Sequence, residues 1–405
     1  MKPIVRAGRM KPVHSDIRGP LFVEAMNRQK QGIDILKLNT GNPATFGFGL
    51  PDSIKNALTE HMQDGVGYCD FKGMPQARQA ICDYETSKGI KGITSDDVFI
   101  GNGVSEVVSF ALTPLLNDGD EVLVPSPSYS LWGNSVYLED GKPVFYTCDE
   151  QANWYPDIQD IRSKITDKTK AIVIINPNNP TGVLYPKEIL LEIIQIAREF
   201  GLLIFADEIY DRLVMDGKQH ISLASLTEDV PVITLNGLSK SHCLCGYRCG
   251  WMVISGPREL TEDYRQGIIQ LTSLRLCANT MAQIVIPAAL DDMETPASMV
   301  RPGGRIYEQR EATVRELEKI DGLSFVKNDA AFYVFPKLDV KKFNITNDKQ
   351  FAHDLLDATN ILLVPGSGFD WKDPDHFRIV MLPQADILSD AIRRMGTFLD
   401  GYKQK

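Results

Sequence analysis

The stretch "NGLSKSHCLCGYRCG", Asn236 to Gly250, gathers three thiols, an imidazole, an amine and a guanidinium. Two chemistries compete for it. Cys243, Cys245, Cys249 and His242 carry the donor atoms of a metal or redox site. Against this, the Cys-x-Cys spacing includes no C-x2-C pair and has no second cluster at zinc-site distance. Lys240 ends the apolar run "VITLNGLSK" and offers a nucleophile for carbonyl carbon if it is held neutral. An ordinary lysine ammonium near about 10.4 is lowered by burial and by a neighbouring cation. Arg248 is the expected cation. A lysine at that place is otherwise simply exposed.

Four more polar stretches end apolar runs. In "FIGNGVSEVVSFAL" a strand passes through glycines into a helix. The N–H groups of Gly103, Val104 and Ser105 then form either a phosphate cradle or a plain β–α turn. The loop is neither a Walker A motif nor a dinucleotide fingerprint. "PSPSY" brings Tyr129 to the next strand end. In "IINPNNPTG", Pro177 and Pro180 lock φ and restrain Asn176 and Asn179, defining an extended polar loop in which Asn179 is free for a ligand hydroxyl or carboxylate. "LLIFADEIYDRL" sets Asp207 and Glu208 at a strand mouth, either as a helix N-terminal acid pair or with one acid facing a cationic ligand atom. Tyr210 is within reach of the same place.

What positions these groups is an alternation of short buried runs with amphipathic segments, from about residue 50 to 290. "DDVFIGNG", "DEVLVPSPS", "PVFYTCD", "KAIVIINPNNP", "LLIFADE", "VITLNGLSK" and "GWMVIS" read as strands, several of them apolar on both faces. "PKEILLEIIQIAREFG" reads as a helix, with Pro near its start and Gly just past its end. The alternation predicts an α/β fold with a mostly parallel sheet covered by helices. Ligands of such sheets sit beyond the carboxyl ends of the strands, so these loops are expected to converge. Beyond residue 295 the texture changes. "GGRIYEQREATVRELEKI" reads as a long exposed helix, and "LSFVKN", "AAFYVFPKL" and "HFRIVML" read as strands of a smaller α+β domain. The connector "METPASMVRPGG" marks the boundary. The expected division is an N-terminal arm contributing to the small domain (1–45), a large domain (46–295) and the small C-terminal domain (296–405).

Composition narrows the class. The 405 residues are 43% hydrophobic and 24% charged, ordinary for a globular chain, with a formal net charge of −10 that disfavours nucleic acid as a partner. No apolar run approaches membrane-spanning length, and no apolar segment follows the basic N-terminus, so neither a span nor a signal peptide is expected. Seven scattered cysteines suit a reducing cytoplasm better than a disulfide framework.

In chain order, "LNTGNP", "GYCDFKG", "GNGVSE", "PSPSY", "NPNNPTG", "ADEIYDRL", "GLSKSHCLCGYRCGW" and "FRIV" together resemble the fold-type I, class I/II aminotransferases, which use pyridoxal 5′-phosphate. The set runs from Leu38 to Val380. "DIRGP", "GYCDFKG", "FADEIYD" and "LRLCAN" are similar to the bacterial subgroup that moves an amino group between L-alanine and 2-oxoglutarate. The resemblance implies that Lys240 bonds the cofactor aldehyde and shuttles a proton between Cα and C4′. It implies that Asp207 pairs with the pyridinium nitrogen, that Tyr210 and Asn179 hydrogen-bond the ring oxygen, and that Tyr129 stacks on the ring. Val104, Ser105 and Arg248 are implied to hold the phosphate, with Tyr68 reaching it from a second subunit of a homodimer. Arg378, Gly41 and Asn179 are implied to bind the substrate α-carboxylate. Arg378 and Tyr68 come from the resemblance alone.

Three departures stand out. Gly237 occupies the place of a phosphate-binding serine in many relatives, so Ser239 or a water takes over there. His242 replaces a commoner aromatic, and Cys243 and Cys245 replace more usual residues. These bear on phosphate affinity. The distal carboxylate of glutamate needs a cation, and Arg18, in "DIRGP", is the candidate; its alternative is an ion pair tying down the arm. A β-eliminating lyase on the same scaffold and a non-catalytic cofactor-binding regulator are the competing functions. No basic DNA-binding extension is visible for the latter.

Overall fold

The computed structural model describes residues 2–405. After a two-residue strand β1 (Leu36–Lys37) come the strands of the main sheet. They are β2 (Val98–Asn102), β3 (Glu121–Ser126), β4 (Lys142–Asp149), β5 (Tyr155–Pro156), β6 (Thr169–Ile175), β7 (Leu203–Asp207), β8 (Val232–Gly237) and β9 (Cys249–Ser255). Their order is β2-β9-β8-β7-β6-β3-β4-β5. Neighbours from β8 through β4 run parallel, whereas β9 is antiparallel to both β8 and β2. All seven expected strands form, and β5 adds a short antiparallel edge. The reversal of β9 matters. Its first residues, not its last, stand at the carboxyl edge of the sheet, which brings Arg248 to the same mouth as the loops after β2, β3, β6, β7 and β8.

Helices cover both faces because the strands are apolar on both. One buried cluster packs Leu123, Ile172, Ile174 and Ile204 under the helix Lys187–Phe200; another packs Val122, Val173 and Phe205 under Val104–Leu112. The helix Lys187–Phe200 starts after Pro186 and ends at Gly201 with φ +66, as its flanking residues indicate.

The later strands are β10 (Leu323–Ser324), β11 (Tyr333–Val334), β12 (Lys337–Leu338), β13 (Ile361–Leu362), β14 (Val364–Pro365) and β15 (Phe377–Val380). β15 lies between β11 and β14, antiparallel to both, and β1 pairs with β13. A separate cluster joins Leu38 to Val334, Phe351, Phe377, Ile379 and Leu388. Two local expectations are corrected. The helix Arg305–Leu317 is not exposed: Arg310 is 0% accessible and forms a two-pronged ion pair with Asp216, so its charge does not mark a wet face. The stretch read as a connector folds into the helix Glu294–Val300 before its Pro-Gly-Gly turn. Among the described residues no single helix is long and apolar enough to cross a membrane.

Candidate active site

Lys240 stands in the short helix Leu238–Ser241 that continues β8, and its Nζ donates to the Gly41 carbonyl at 3.0 Å. Burial pushes the ammonium down. The nearby Tyr333, Cys245 and Tyr129 favour the charged form electrostatically, and the net displacement is upward. The expectation of a lysine discharged by Arg248 is thereby corrected. The guanidinium that faces Lys240 is that of Arg378, while Arg248 turns toward Gly103.

Asp207 ends β7 and is buried. Burial lifts its carboxyl to about 6, against the Trp132 indole N–H on Oδ2 at 3.1 Å and the Ile209 N–H on Oδ1 at 3.3 Å. Glu208 turns away. It accepts from Ser222, the Leu223 N–H and Lys88 in a buried knot with Glu85 and Asp211. Of the two strand-end acids, only Asp207 stays in the mouth.

At the opposite edge, the helix Val104–Leu112 starts from Gly103 at φ +84, and its first N–H groups have no intrahelical acceptor. A β-carbon on Gly103 would stand 2.4 Å from Arg248 Nη2, so the guanidinium lies over this helix start. Arg248 itself adopts φ +55 and donates to the Cys245 carbonyl. Ser105 is exposed at the same edge. Ser239 is half-buried, and its carbonyl accepts from the Cys245 thiol at 3.0 Å.

On the far wall Arg378, fully buried in β15, donates from Nη1 to Asn179 Oδ1 at 3.0 Å and from Nη2 to the Asn39 carbonyl. Its plane is held between the Tyr333 and Phe369 rings at 4.7 and 4.6 Å. It pairs with no carboxylate among the described residues, and its Nε has no partner there. Asn179 is the one asparagine of its loop turned this way. Asn176 and Asn178 bond Tyr185 and brace the loop itself. Gly41 is tightly enclosed: a β-carbon would meet the Tyr333 hydroxyl at 2.3 Å. Tyr210 meets that same hydroxyl at 2.9 Å.

Two expected residues lie apart from this cluster. Tyr68 is 84% exposed. Arg18 is exposed and forms no ion pair among the described residues. The arm is held instead by Asp16 on Lys349, His14 on Asp370 and the Asn39 amide on the Ile17 carbonyl. The thiols of the opening stretch also disperse. Cys249 is buried beside Trp251 and Leu238, while Cys243, at φ +59, packs near Met299. Cys249 is buried, whereas Cys243 and Cys245 are partly so. His242 receives a reason. Its buried ring bridges the Ser241 hydroxyl and the Asp292 carbonyl, and burial followed by Arg212 holds it down to about 4, so it is neutral at physiological pH.

Sequence reasoning missed Trp132, Tyr333, Phe369 and Asn39. The available signals were weak: a Trp just beyond "PSPSY", and an aromatic run in "AAFYVFPKL".

A lysine and an acid at one sheet edge, with an unpaired buried arginine opposite, describe a site for an anionic amine or carbonyl compound on a cationic cofactor. The chain belongs to the class I and II aminotransferases, whose family profile matches residues 33–392. Over 404 residues it is 50% identical to the glutamate-pyruvate aminotransferase AlaA of Haemophilus influenzae, covering 100% of both chains. Its structure matches that of an aminotransferase from Escherichia coli with a TM-score of 0.98, at 47% identity and 100% coverage of both. It matches an alanine aminotransferase from Pyrococcus furiosus with a TM-score of 0.92, at 40% identity, covering 98% of this chain and 100% of that one. The family's cofactor is pyridoxal 5′-phosphate. The donor set fits it: free helix-start N–H groups beside Arg248 for the phosphate, and the buried Asp207 carboxyl for a cationic ring nitrogen.

Proposed function

We propose that this aminotransferase exchanges the amino group between L-alanine and 2-oxoglutarate, reversibly giving pyruvate and L-glutamate. The observation that carries the reading is the pairing of Lys240 with an Arg378 that has no carboxylate of its own. Gly41 and Tyr333 link the two, because Lys240 donates to Gly41 and Gly41 abuts the ring that lies under Arg378. An amine-handling group and a carboxylate receptor sharing one wall suit an α-amino acid. The full-length relative named a glutamate-pyruvate aminotransferase supports the choice of substrates.

Pyridoxal phosphate supplies an aldehyde that bonds amines and a cationic ring that takes up the electron pair of a broken C–H bond. The residues supply the rest. Lys240 Nζ would hold the cofactor and, once the substrate amine has displaced it, would take the proton from the substrate Cα. Asp207, once ionised, keeps the ring nitrogen protonated. The Tyr210 hydroxyl and Asn179 would bond the ring oxygen, and Tyr129 would pack on the ring. Val104, Ser105, Ser239 and Arg248 hold the phosphate. Arg378 receives the α-carboxylate through a planar fork of donors, with Gly41 leaving room for it. Arg18 closes on the distal carboxylate of glutamate. Tyr68 completes the phosphate site of a second copy in a homodimer, with an N-terminal arm and residues 296–405 forming a smaller domain over the large one. Seven unpaired thiols suit a cytoplasmic setting.

The test is a visible spectrum of the purified protein. The lysine-bound cofactor's band should bleach with L-alanine and return with 2-oxoglutarate. Release of ammonia without a 2-oxo acid would instead mark a lyase. Arg18→Met should lose kcat/KM for glutamate and retain more of it for alanine, and equal loss for both would remove Arg18 from the reading.

A further inference from the structure

Tyr333 belongs to no role assigned above, yet it touches three of the groups that have one. Its hydroxyl lies 2.9 Å from that of Tyr210, with the two rings edge to face at 5.6 Å. Its ring supports the Arg378 guanidinium at 4.7 Å. Its oxygen fills the space where any side chain at position 41 would go, against the residue whose carbonyl accepts from Lys240. It is also tied to Arg378 through the backbone, since β11 pairs with β15 and Tyr333 faces Val380.

Each hydroxyl has one proton to give. If Tyr210 donates to the cofactor's ring oxygen, the bond between the two tyrosines must run from Tyr333 to Tyr210. A hydroxyl that accepts one hydrogen bond becomes the stronger donor of its next. The ring under Arg378 therefore also sets how firmly Tyr210 holds its acceptor. The titratable and charged groups facing Tyr210 are Tyr333, Arg378 and Asp207. Those facing Lys240 are Tyr333, Cys245, Tyr129, Arg378, Asp207 and Cys243.

We propose that Tyr333 is a positioning residue that couples carboxylate capture at Arg378 to the donor strength of Tyr210, and through Tyr210 to the proton affinity of the Lys240 nitrogen bound to the cofactor. The inference rests on the proposed function.

The test is the pH titration of the visible band in the cofactor-loaded protein, with and without saturating succinate as an unreactive carboxylate. Tyr333→Phe keeps the ring under Arg378 and removes only the hydroxyl. Its midpoint should rise by about half a unit to one unit, because the ring oxygen loses stabilisation and the nearby nitrogen holds its proton more tightly. In a Tyr210→Phe background the same substitution should add nothing. The displacement of the midpoint by succinate should shrink in Tyr333→Phe. A midpoint unchanged by Tyr333→Phe, an equal shift in both backgrounds, or an undiminished succinate response would overturn the coupling. A wild-type protein with no lysine-bound band would instead overturn the proposed function, and this inference with it.

Discussion

The indole N–H of Trp132 donates to Asp207 Oδ2 over 3.1 Å in a buried site. The bond crosses from the helix Leu131–Leu138 to the end of β7, and it stabilises the ionised carboxylate. Burial acts the other way and wins, leaving the carboxyl at about 6. Asp207 is thus an acid that gives up its proton readily once a cation is placed against it.

The sign of the pH dependence follows. A folded-state pKa raised to about 6 from an ordinary 3.8 means that the cofactor-free protein binds more protons than the unfolded chain between those values. Asp207's contribution to stability is therefore lost as pH rises through that window. Cofactor binding reverses this, because a cationic ring nitrogen favours the carboxylate. The affinity of wild type relative to Asp207→Asn should then rise with pH by up to about tenfold per unit below the folded-state pKa and level off above it. Titrating cofactor into both proteins at several pH values checks it, and a flat ratio would refute it. Trp132→Phe should move the levelling point upward.

Arg378→Lys should lower kcat/KM on the order of 10²- to 10³-fold, roughly 3–4 kcal/mol, because an ammonium cannot reproduce the planar fork held between two rings. Asn179→Ala should do less, about tenfold. Since every amino and 2-oxo acid substrate carries the same carboxylate, the Arg378 loss should be similar for alanine and 2-oxoglutarate. A loss confined to one of them would show that the arginine reads the side chain.

These effects also mark how far the sequence could be read. Asp207, Asn179 and Lys240 were found because runs such as "KAIVII" and "LLIFAD" are apolar on both faces, which fixes where strands end and hence where ligands meet them. Trp132 was not found, because its bond to Asp207 spans two elements and leaves no mark in either one's periodicity. Arg310 misled for a related reason. Its charge signals a wet helix face until Asp216, far along the chain, neutralises it. The upward displacement of Lys240 depends on Tyr333 and Tyr129, which only folding brings beside it.

The knot below the site makes a separate prediction. Lys88 lies 2.6, 2.8 and 3.2 Å from Glu85, Glu208 and Asp211, with Tyr84 and Asn236 also on Asp211. Burial opposes its charge, but the three acids drive it well upward. Lys88→Met leaves buried carboxylates without a cation and should cost about 3–5 kcal/mol of stability. The Glu85 carboxyl is already pushed up by burial and will rise further without Lys88 to oppose it. A raised acid loses stability as pH climbs past its unfolded value, so the deficit should be smaller near pH 5 than near pH 8. Denaturant unfolding at both values measures it, and a deficit that is larger in acid would contradict the assignment.

Gly237 is where a serine would be expected to help hold the phosphate, yet the surrounding backbone leaves no room for one. A β-carbon there would lie 2.5 Å from the Cys249 carbonyl oxygen and 3.1 Å from Gly250 Cα. Gly250 in turn would meet the Val104 nitrogen at 2.4 Å, and Gly103 stands beyond it. Three glycines thus layer β8, β9 and the start of the helix Val104–Leu112 closer than side chains permit. Gly237→Ser must part the Gly237 and Gly250 pair and push on the N–H groups offered to the phosphate. It should destabilise the fold by about 1–3 kcal/mol and weaken cofactor binding, despite adding a donor. Gly237→Ala is the control and should behave alike in both measurements. If the serine variant binds pyridoxal phosphate more tightly than wild type while the alanine variant does not, the hydroxyl reaches the phosphate and the layering is not the constraint that keeps glycine here.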